Sequence, residues 1–158
     1  METKSYDFII IGGGSAGCVL AHRLSENSSA KVLVLEAGPM DHSWDFRLHM
    51  PTALAYPLKS KTYNWAYDSE PEPFMKGRKI HQPRGRVLGG SSSINGMIWI
   101  RGHPQDFNNW AKCGALSEWS YKYCLPYFKR LEHRLMGGDD YRGSSGPVKI
   151  TTLKCSNP

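Results

Sequence analysis

The sequence predicts an α/β protein with a doubly wound, Rossmann-like sheet. An apolar strand at Asp7–Ile11 runs into a glycine-rich turn, a helical segment follows from Ser15 to about Glu26, and a second apolar strand spans Lys31–Leu35. A strand–helix–strand unit of this kind is the building block of parallel sheets with helices on both faces. The length of 158 residues and the hydrophobic content of 40% suffice for one domain with a buried core. We expect the first strand to be buried.

The turn after the first strand carries three glycines, spaced as Gly12-x-Gly14-x-x-Gly17. Gly12 suits a tight turn, Gly14 lets a pyrophosphate approach the backbone, and Gly17 lets the helix pack closely on the sheet. The N–H groups at the start of the helix favour phosphate. Glu36 ends the second strand, where a carboxylate can bind a ribose diol and repel a 2′-phosphate. These residues predict a dinucleotide site, disfavour an NADP-type ribose, and leave FAD and NAD both open.

The composition argues against several other classes of protein. The net charge is +6, but lysine and arginine are scattered, so we expect a solvated basic surface and no nucleic-acid partner. Weak attraction to anionic lipid is compatible with this charge. No apolar stretch suits a transmembrane helix or a secretory signal. The cysteines lack CxxC spacing, which predicts reduced thiols in a cytoplasmic protein and no metal site; they are Cys18, Cys113, Cys124 and Cys155.

The segment from Gly38 to about Gly85 is rich in proline, aromatic residues and charge. We expect only a helical turn at Thr52–Leu58 and an extended piece at Asn64–Asp68. A structureless connection of this length inside a compact domain indicates missing partners or a functional excursion.

Regular structure is expected again after Gly85. The predicted elements are a short helix opened by Ser92–Asn95, a brief buried segment at Met97–Ile100, helices from Pro104 through Cys113 and from Tyr121 to His133, and a strand at Pro147–Thr152. The helix from Tyr121 carries apolar residues at helical spacing, which predicts core packing; they are Tyr123, Cys124, Tyr127, Phe128 and Leu131. A doubly wound domain needs about five strands to bury both faces of its sheet. We therefore interpret the chain as the N-terminal piece of a longer protein.

A second glycine-rich signature runs from Arg84 to Pro104, with the sequence RGRVLGGSSSINGMIWIRGHP. Gly89 and Gly90 can bring the backbone near a ligand, the serines that follow can hydrogen-bond it, and Arg84 and Arg86 add positive charge. Two glycine-rich elements in one chain can grip two ends of one long cofactor.

These residues resemble the glucose-methanol-choline (GMC) oxidoreductase family. The resemblance is carried by the first glycine motif with Glu36-Ala37-Gly38, and by the second signature, which matches at Gly85, Gly89, Gly90, Ser91, Ser92, Asn95 and Gly102. Within the family, the stretches YNWAYDSEPEP, DFNNWAKCGA, YCLPYFKRLE and YRGSSGPVKIT are most similar to the bacterial choline dehydrogenases.

The resemblance implies an FAD-binding domain from the N-terminal, incomplete portion of a two-domain oxidoreductase. Residues 5–38 would be the ADP-binding βαβ unit, 39–83 an irregular, lid-like excursion, and 84–158 the flavin-contacting signature, helices and the start of a substrate domain. The implied cofactor residues are Gly12, Gly13, Gly14, Ser15, Ala16, Gly17, Glu36, Ala37, Arg84, Leu88, Gly89, Gly90, Ser91, Asn95, Gly96 and Met97. Some relatives attach FAD through a histidine just before the asparagine of the signature. Ile94 stands there, so noncovalent FAD is expected.

The implied reaction is oxidation of an alcohol, choline to betaine aldehyde, with hydride transfer to the flavin and electrons passing to a respiratory-chain acceptor. The resemblance leaves peripheral association with the inner face of the cell membrane open. Such a reaction needs a base for the hydroxyl proton, and the family's catalytic histidine would lie beyond this chain. None of the six histidines has the context of a base, so no catalytic residue is assigned and the fragment alone is expected to be inactive. The alternatives are another GMC alcohol dehydrogenase or oxidase, or a non-catalytic nucleotide-binding fragment.

Overall fold

The computed structural model, which describes residues 4–152, divides the chain into two units, Met1–Met97 and Ile98–Pro158. The division falls inside the second glycine-rich signature.

The first unit begins with the predicted βαβ element. Strand β1 spans Phe8–Ile11, helix α1 spans Ser15–Ser25, and strand β2 spans Val32–Leu35. The two strands pair in parallel, with Phe8 opposite Val32. The sequence prediction of this element is confirmed, with bounds within one residue of those expected.

The expectation that β1 is buried is wrong for most of its residues. Only Ile10 is buried, while Phe8, Ile9 and Ile11 are exposed. Alternate residues of a strand point to opposite faces, and α1 packs on one face of the pair. Ile9 and Ile11 lie on the other face, where their side chains are exposed.

The excursion after β2 holds more regular structure than predicted. Helix α2 spans Phe46–His49, a 3-10 turn spans Pro51–Ala53, and helix α3 spans Ala55–Lys59. Strands β3 (Tyr67–Asp68) and β4 (His81–Gln82) form an antiparallel ribbon. The helical turn is thus confirmed. The extended piece is confirmed only in part, because Asn64 forms an isolated bridge with Gly85 and Tyr67–Asp68 is a strand, but Ala66 between them has a φ of +53°.

A small core joins the excursion to the second glycine-rich signature. Tyr63, Val87 and Ile94 are buried together, and Leu48 and Leu58 pack against them. A 3-10 helix spans Gly90–Ser93, so it begins two residues before the predicted start at Ser92. Val87 and Ile94 flank this 3-10 helix, so the core anchors it on both sides.

The second unit contains two helices and a parallel strand pair. Helix α4 spans Pro104–Ala111, a 3-10 helix spans Gly114–Trp119, and helix α5 spans Tyr121–Leu131. Strand β5 (Glu132–Arg134) pairs in parallel with β6 (Val148–Ile150). The predicted helices and last strand are confirmed, although each is shorter than expected.

Two predictions of burial after residue 97 are wrong. Met97, Ile98 and Ile100 are exposed and lie outside any helix or strand. On α5 only part of the apolar stripe is covered, because Tyr123, Tyr127 and Leu131 are exposed whereas Phe128 packs edge-on against Phe107, with ring centroids 5.5 Å apart. The described residues of this unit supply no second layer over the stripe.

Within residues 4–152 no helix is long and apolar enough to cross a membrane. The same residues contain no cluster of three or more His, Cys, Asp or Glu side chains that could hold a metal ion. The thiols of Cys18, Cys113 and Cys124 are free, and Cys155 lies outside the described residues.

Candidate functional site

The N-terminus of α1 and the second glycine-rich signature line one cleft of about 750 Å3 in the first unit. The end of β2 contributes a third part of its wall. The sequence-predicted residues in the lining are Gly12, Gly14, Ser15, Ala16, Gly17, Glu36, Ala37, Arg84, Gly90 and Ser91. The structure therefore brings together two motifs that are far apart in the chain.

Glycine is required at two positions of the first turn. Gly12 has a φ of +94°, a conformation that side-chain-bearing residues rarely adopt. A Cβ on Gly17 would lie 1.9 Å from the carbonyl oxygen of Gly12, so only glycine lets α1 approach the turn this closely. The predicted roles of both glycines in the turn and in helix packing are confirmed.

Gly14 is glycine for a different reason. A Cβ there would meet nothing closer than the Cα of Gly90, at 4.0 Å, so the chain itself would tolerate a methyl group. That methyl group would enter the cleft. Gly14 is also the N-cap of α1, with no side-chain cap and no acidic residue in the first turn. The first N–H groups of the helix are therefore free of a side-chain acceptor, as an anion site requires.

The Glu36 carboxylate is fixed at the cleft by two backbone groups. Gly13 N–H donates to its Oε2 at 2.7 Å, and Gly38 N–H donates to its Oε1 at 2.9 Å. A carboxylate oxygen has two lone pairs, so each oxygen can still accept a hydroxyl. The arrangement suits recognition of a diol.

Backbone bonds hold the two glycine-rich elements against each other. Gly89 N–H donates to the carbonyl of Gly13 at 2.7 Å. The hydroxyls of Ser15 and Ser92 are 2.5 Å apart and form a hydrogen bond in which either can donate. The δ-methyl of Leu88 would lie 2.8 Å from a Cβ on Gly13. Gly13, Leu88 and Gly89 thus support the cleft and do not line it.

Three further predicted cofactor residues also do not line this cleft. Asn95 and Met97 line a separate cavity of about 200 Å3, together with Asp41 and His49. Gly96 is exposed between them and belongs to neither lining.

Sequence reasoning missed two aromatic residues of the cleft wall. Trp65 and Tyr67 both belong to the lining. No sequence pattern indicated this, because Ala66 between them has a φ of +53° and the stretch does not follow the alternation of a strand.

The buried Asp45 carboxylate is the centre of an ionic network in the first unit. Arg47 donates to both oxygens of Asp45, at 2.7 and 2.9 Å, and the Tyr63 hydroxyl donates to Asp45 Oδ2 at 2.5 Å. The hydrogen bond from Arg47 outweighs the cost of burial and lowers the pKa of Asp45 to about 2. Burial and the neighbouring carboxylate raise the pKa of Tyr63.

The second unit has its own buried charge, Glu132, which is fully inaccessible to solvent. Trp99 Nε1 donates to Oε1 at 2.6 Å, Arg101 binds both carboxylate oxygens, and Gly143 N–H donates to Oε2 at 3.1 Å. Arg142 Nε lies 3.3 Å from the same oxygen. Burial alone would raise the pKa of Glu132, but the hydrogen bonds from Arg101, Trp99 and Gly143 together lower it.

The histidines take local structural roles in the described residues. His103 caps α4, because its Nδ1 accepts the N–H of Gln105 at 3.1 Å. His49 Nε2 pairs with Asp41 Oδ1 at 2.8 Å. No histidine belongs to the lining of the larger cleft.

A family model described as GMC oxidoreductase matches residues 6–157. The chain belongs to the GMC oxidoreductase family. The resemblance inferred from the two glycine-rich signatures is thereby confirmed, as is the fold class.

Curated members of the family are similar along almost the whole chain. The oxygen-dependent choline dehydrogenase of Proteus mirabilis is 57% identical over 152 residues, covering 96% of this chain and 27% of the relative. Oxygen-dependent choline dehydrogenase 1 of Chromohalobacter salexigens is 54% identical over 156 residues, covering 99% of this chain and 28% of the relative. The chain therefore spans little more than a quarter of the length of these relatives.

Solved structures of GMC-like enzymes share the fold. Pyridoxine 4-oxidase from Mesorbium loti superposes with a TM-score of 0.79 at 38% identity, covering 92% of this chain and 28% of that protein. A formate oxidase of Aspergillus oryzae, studied for its FAD modification, gives a TM-score of 0.79 at 30% identity and covers 96% of this chain and 27% of that protein.

Proposed function

We propose that this chain supplies the FAD-binding part of a GMC alcohol oxidoreductase whose substrate is choline. The observation that carries the proposal is the shared cleft, in which the α1 N-terminus, Glu36 and the Gly90 loop face one space. The names of the curated relatives support the substrate. A formate oxidase neighbour studied for FAD modification supports the cofactor.

The residues present fit the ADP half of FAD. The free N–H groups at the start of α1 suit the pyrophosphate, and the open approach at Gly14 admits it to the backbone. The spare lone pairs of Glu36 suit the ribose diol. Arg84 lines the same cleft and adds a positive charge.

Bound FAD would supply a hydride acceptor, so that choline loses a hydride from its hydroxyl-bearing carbon and a proton from its oxygen, giving betaine aldehyde. This chain's part is to hold the cofactor in place. The base that takes the proton and most of the choline site would come from the remaining part of the protein. A respiratory acceptor, and a cytoplasmic location with peripheral contact to the membrane, complete the proposal.

Noncovalent attachment of FAD is part of the proposal. Ile94 stands where some family members carry the attaching histidine, and its side chain is buried with Tyr63 and Val87. It offers no nucleophile and points into the core of the unit. Acid precipitation should therefore release the flavin into the supernatant.

The decisive experiment is a chimera in which this chain replaces the matching N-terminal part of the Proteus mirabilis relative. We expect the purified chimera to contain FAD and to oxidise choline with an artificial electron acceptor. A Gly14→Ala chimera is the matched variant, since it should fold but retain less FAD. A folded chimera without FAD would contradict the cofactor assignment. An FAD-loaded chimera that does not oxidise choline would contradict the substrate assignment alone and favour another alcohol.

A further inference from the structure

The side chains of Trp65 and Tyr67 form part of the cleft wall and are not buried in a hydrophobic core. Trp65 and Tyr67 are 45% and 53% exposed. Their rings are nearly parallel, with an interplanar angle of 2° and centroids 6.2 Å apart. Aromatic side chains that are arranged in parallel and left half-exposed at a cavity suit contact with a planar ligand.

The backbone between these rings is held in a strained conformation. Ala66 has a φ of +53°, which a residue with a side chain rarely adopts. The buried side chain of Asn64 enforces it. Its Oδ1 accepts the N–H groups of Ala66 and Arg84 at 2.9 and 2.8 Å, and its Nδ2 donates to Leu58 O at 2.7 Å. Strain of this kind persists where the surrounding structure fixes it, and it is concentrated at ligand sites.

A positive charge lies against the Trp65 ring. The Arg86 guanidinium carbon is 5.4 Å from the ring centroid. Its Nε is buried without a hydrogen-bond partner among the described residues. With Arg84 in the lining of the cleft, the aromatic wall is set beside two cations. This combination favours an occupant that has both a planar ring and anionic groups.

We propose that Trp65 and Tyr67 form an aromatic wall that packs against the ADP portion of the bound nucleotide. The inference rests on the proposed function and deepens it. The lining runs from Leu35, Glu36 and Ala37 to Gly90 and Ser91, and it omits Asn95 and Met97. The portion of FAD that matches this span contains the adenine, the ribose and the pyrophosphate. The segment between β2 and the second signature is then part of the nucleotide site.

The test is titration of the 158-residue chain with ADP and, separately, with FMN, followed by tryptophan fluorescence and equilibrium dialysis. The variants are Trp65→Phe and Trp65→Leu. Trp44→Phe is the control, because Trp44 is exposed, stacks on His42 and is absent from the cleft lining. Circular dichroism checks that each variant is folded.

We expect ADP to change the tryptophan emission of the wild-type chain and of Trp44→Phe, and to bind more tightly than FMN. Trp65→Phe should lose the emission change but keep most of the affinity. Trp65→Leu should weaken ADP binding by about fivefold to a hundredfold, the range found when a stacked aromatic residue is removed. Because Trp65→Phe keeps an aromatic ring, it remains informative if Trp65→Leu does not fold.

Two results would overturn the inference. If ADP binds the wild-type chain but the Trp65 variants keep both the emission change and the affinity, the aromatic wall is excluded while the proposed FAD site survives. If neither ADP nor FAD binds the wild-type chain at all, the aromatic wall and the proposed site fail together.

Discussion

The Glu132 carboxylate accepts a hydrogen bond from the guanidinium group of Arg101 and forms an ion pair with it. Arg101 lies 31 residues earlier in the chain, near the end of the second glycine-rich signature. Glu132 has no solvent exposure and the Arg101 side chain has 9%. The pair therefore fixes the end of the signature to the strand that follows α5. Arg101 also lies 5.2 Å from the centroid of the Phe128 ring.

Glu132→Ala should strongly destabilise the chain. Removing one partner of a buried ion pair costs about 3–5 kcal/mol, because the remaining cations are left uncompensated. Glu132→Gln should cost less, since it keeps the shape and one acceptor oxygen. Urea unfolding measures the change, with the exposed Glu118→Gln as control. Equal stability of Glu132→Ala and Glu118→Gln would show that the network carries no net stabilisation.

The stability of the first unit should fall in acid because of Asp45. Its pKa is about 2 in the folded chain, against an ordinary value of 3.8 for an aspartate side chain. Ionised Asp45 therefore stabilises the fold above about pH 4, and this contribution is lost as pH falls through about 2, when both states are protonated. The contribution is about 2 kcal/mol at neutral pH. Asp45→Asn should reduce the change in the free energy of unfolding between about pH 4 and pH 2. The same substitution at the exposed Asp68 should leave this change as it is in the wild-type chain.

Gly17→Ala and Gly14→Ala should separate folding from nucleotide binding. The Gly17 methyl would collide with the Gly12 carbonyl at 1.9 Å, whereas the Gly14 methyl meets no atom nearer than 4.0 Å. We expect Gly17→Ala to lower the unfolding midpoint and Gly14→Ala to leave it unchanged while weakening FAD and ADP binding. Equilibrium dialysis and thermal unfolding of both variants decide the point. If folded Gly14→Ala binds ADP with unchanged affinity, the pyrophosphate does not lie against this turn.

Glu36→Gln should weaken ADP binding and reduce discrimination against 2′-phosphorylated nucleotides. The substitution removes the negative charge and turns one acceptor oxygen into an NH2 donor. This donor would face the N–H of Gly13 or of Gly38, which is itself a donor. Hydrogen bonds to charged groups contribute about 1.5–3 kcal/mol, which corresponds to at least a tenfold loss of affinity. Dissociation constants for ADP and 2′-phospho-ADP are compared with those of Glu26→Gln, an exposed site outside the cleft. A wild-type chain that binds the two ligands equally would argue against the ribose role.

The chain alone should not oxidise choline. None of the cleft residues is a histidine, and the carboxylate in the lining, Glu36, is already engaged by two backbone donors. An assay with choline and an artificial acceptor, with and without added FAD, should give only the background rate. Turnover that depends on both FAD and this chain would contradict the prediction.

The local elements could be predicted from the sequence because their signals are local. The three glycines after β1 and the apolar run of β2 identify the βαβ unit within a few dozen residues. The pairing of Gly13 with Gly89 could not be predicted, because it joins residues far apart in the chain that no local pattern links. Most of the residues that line the cleft belong to the two glycine-rich motifs and were therefore predicted from the sequence.

The burial of apolar residues was predicted less well. Ile11 and Tyr127 look like core residues because apolar side chains at strand or helix spacing usually meet a second layer. Within the described residues that second layer is not supplied, so both side chains are exposed. The hydrogen bonds from the Asn64 side chain to Leu58, Ala66 and Arg84 could not be predicted, because a single asparagine in an irregular segment shows no periodicity. The positions of Trp65 and Tyr67 depend on these hydrogen bonds, so they could not be predicted either.

The contacts between Gly13 and Gly89 and between Ser15 and Ser92 all fall within residues 1–97. During synthesis from the N-terminus, early units can fold while later ones are still being made. Residues 1–97 can therefore close this cleft once they have left the ribosome, while the following part of the chain is still being made. A nascent chain arrested after these residues have left the ribosome should already be retained on a resin that carries adenine nucleotide.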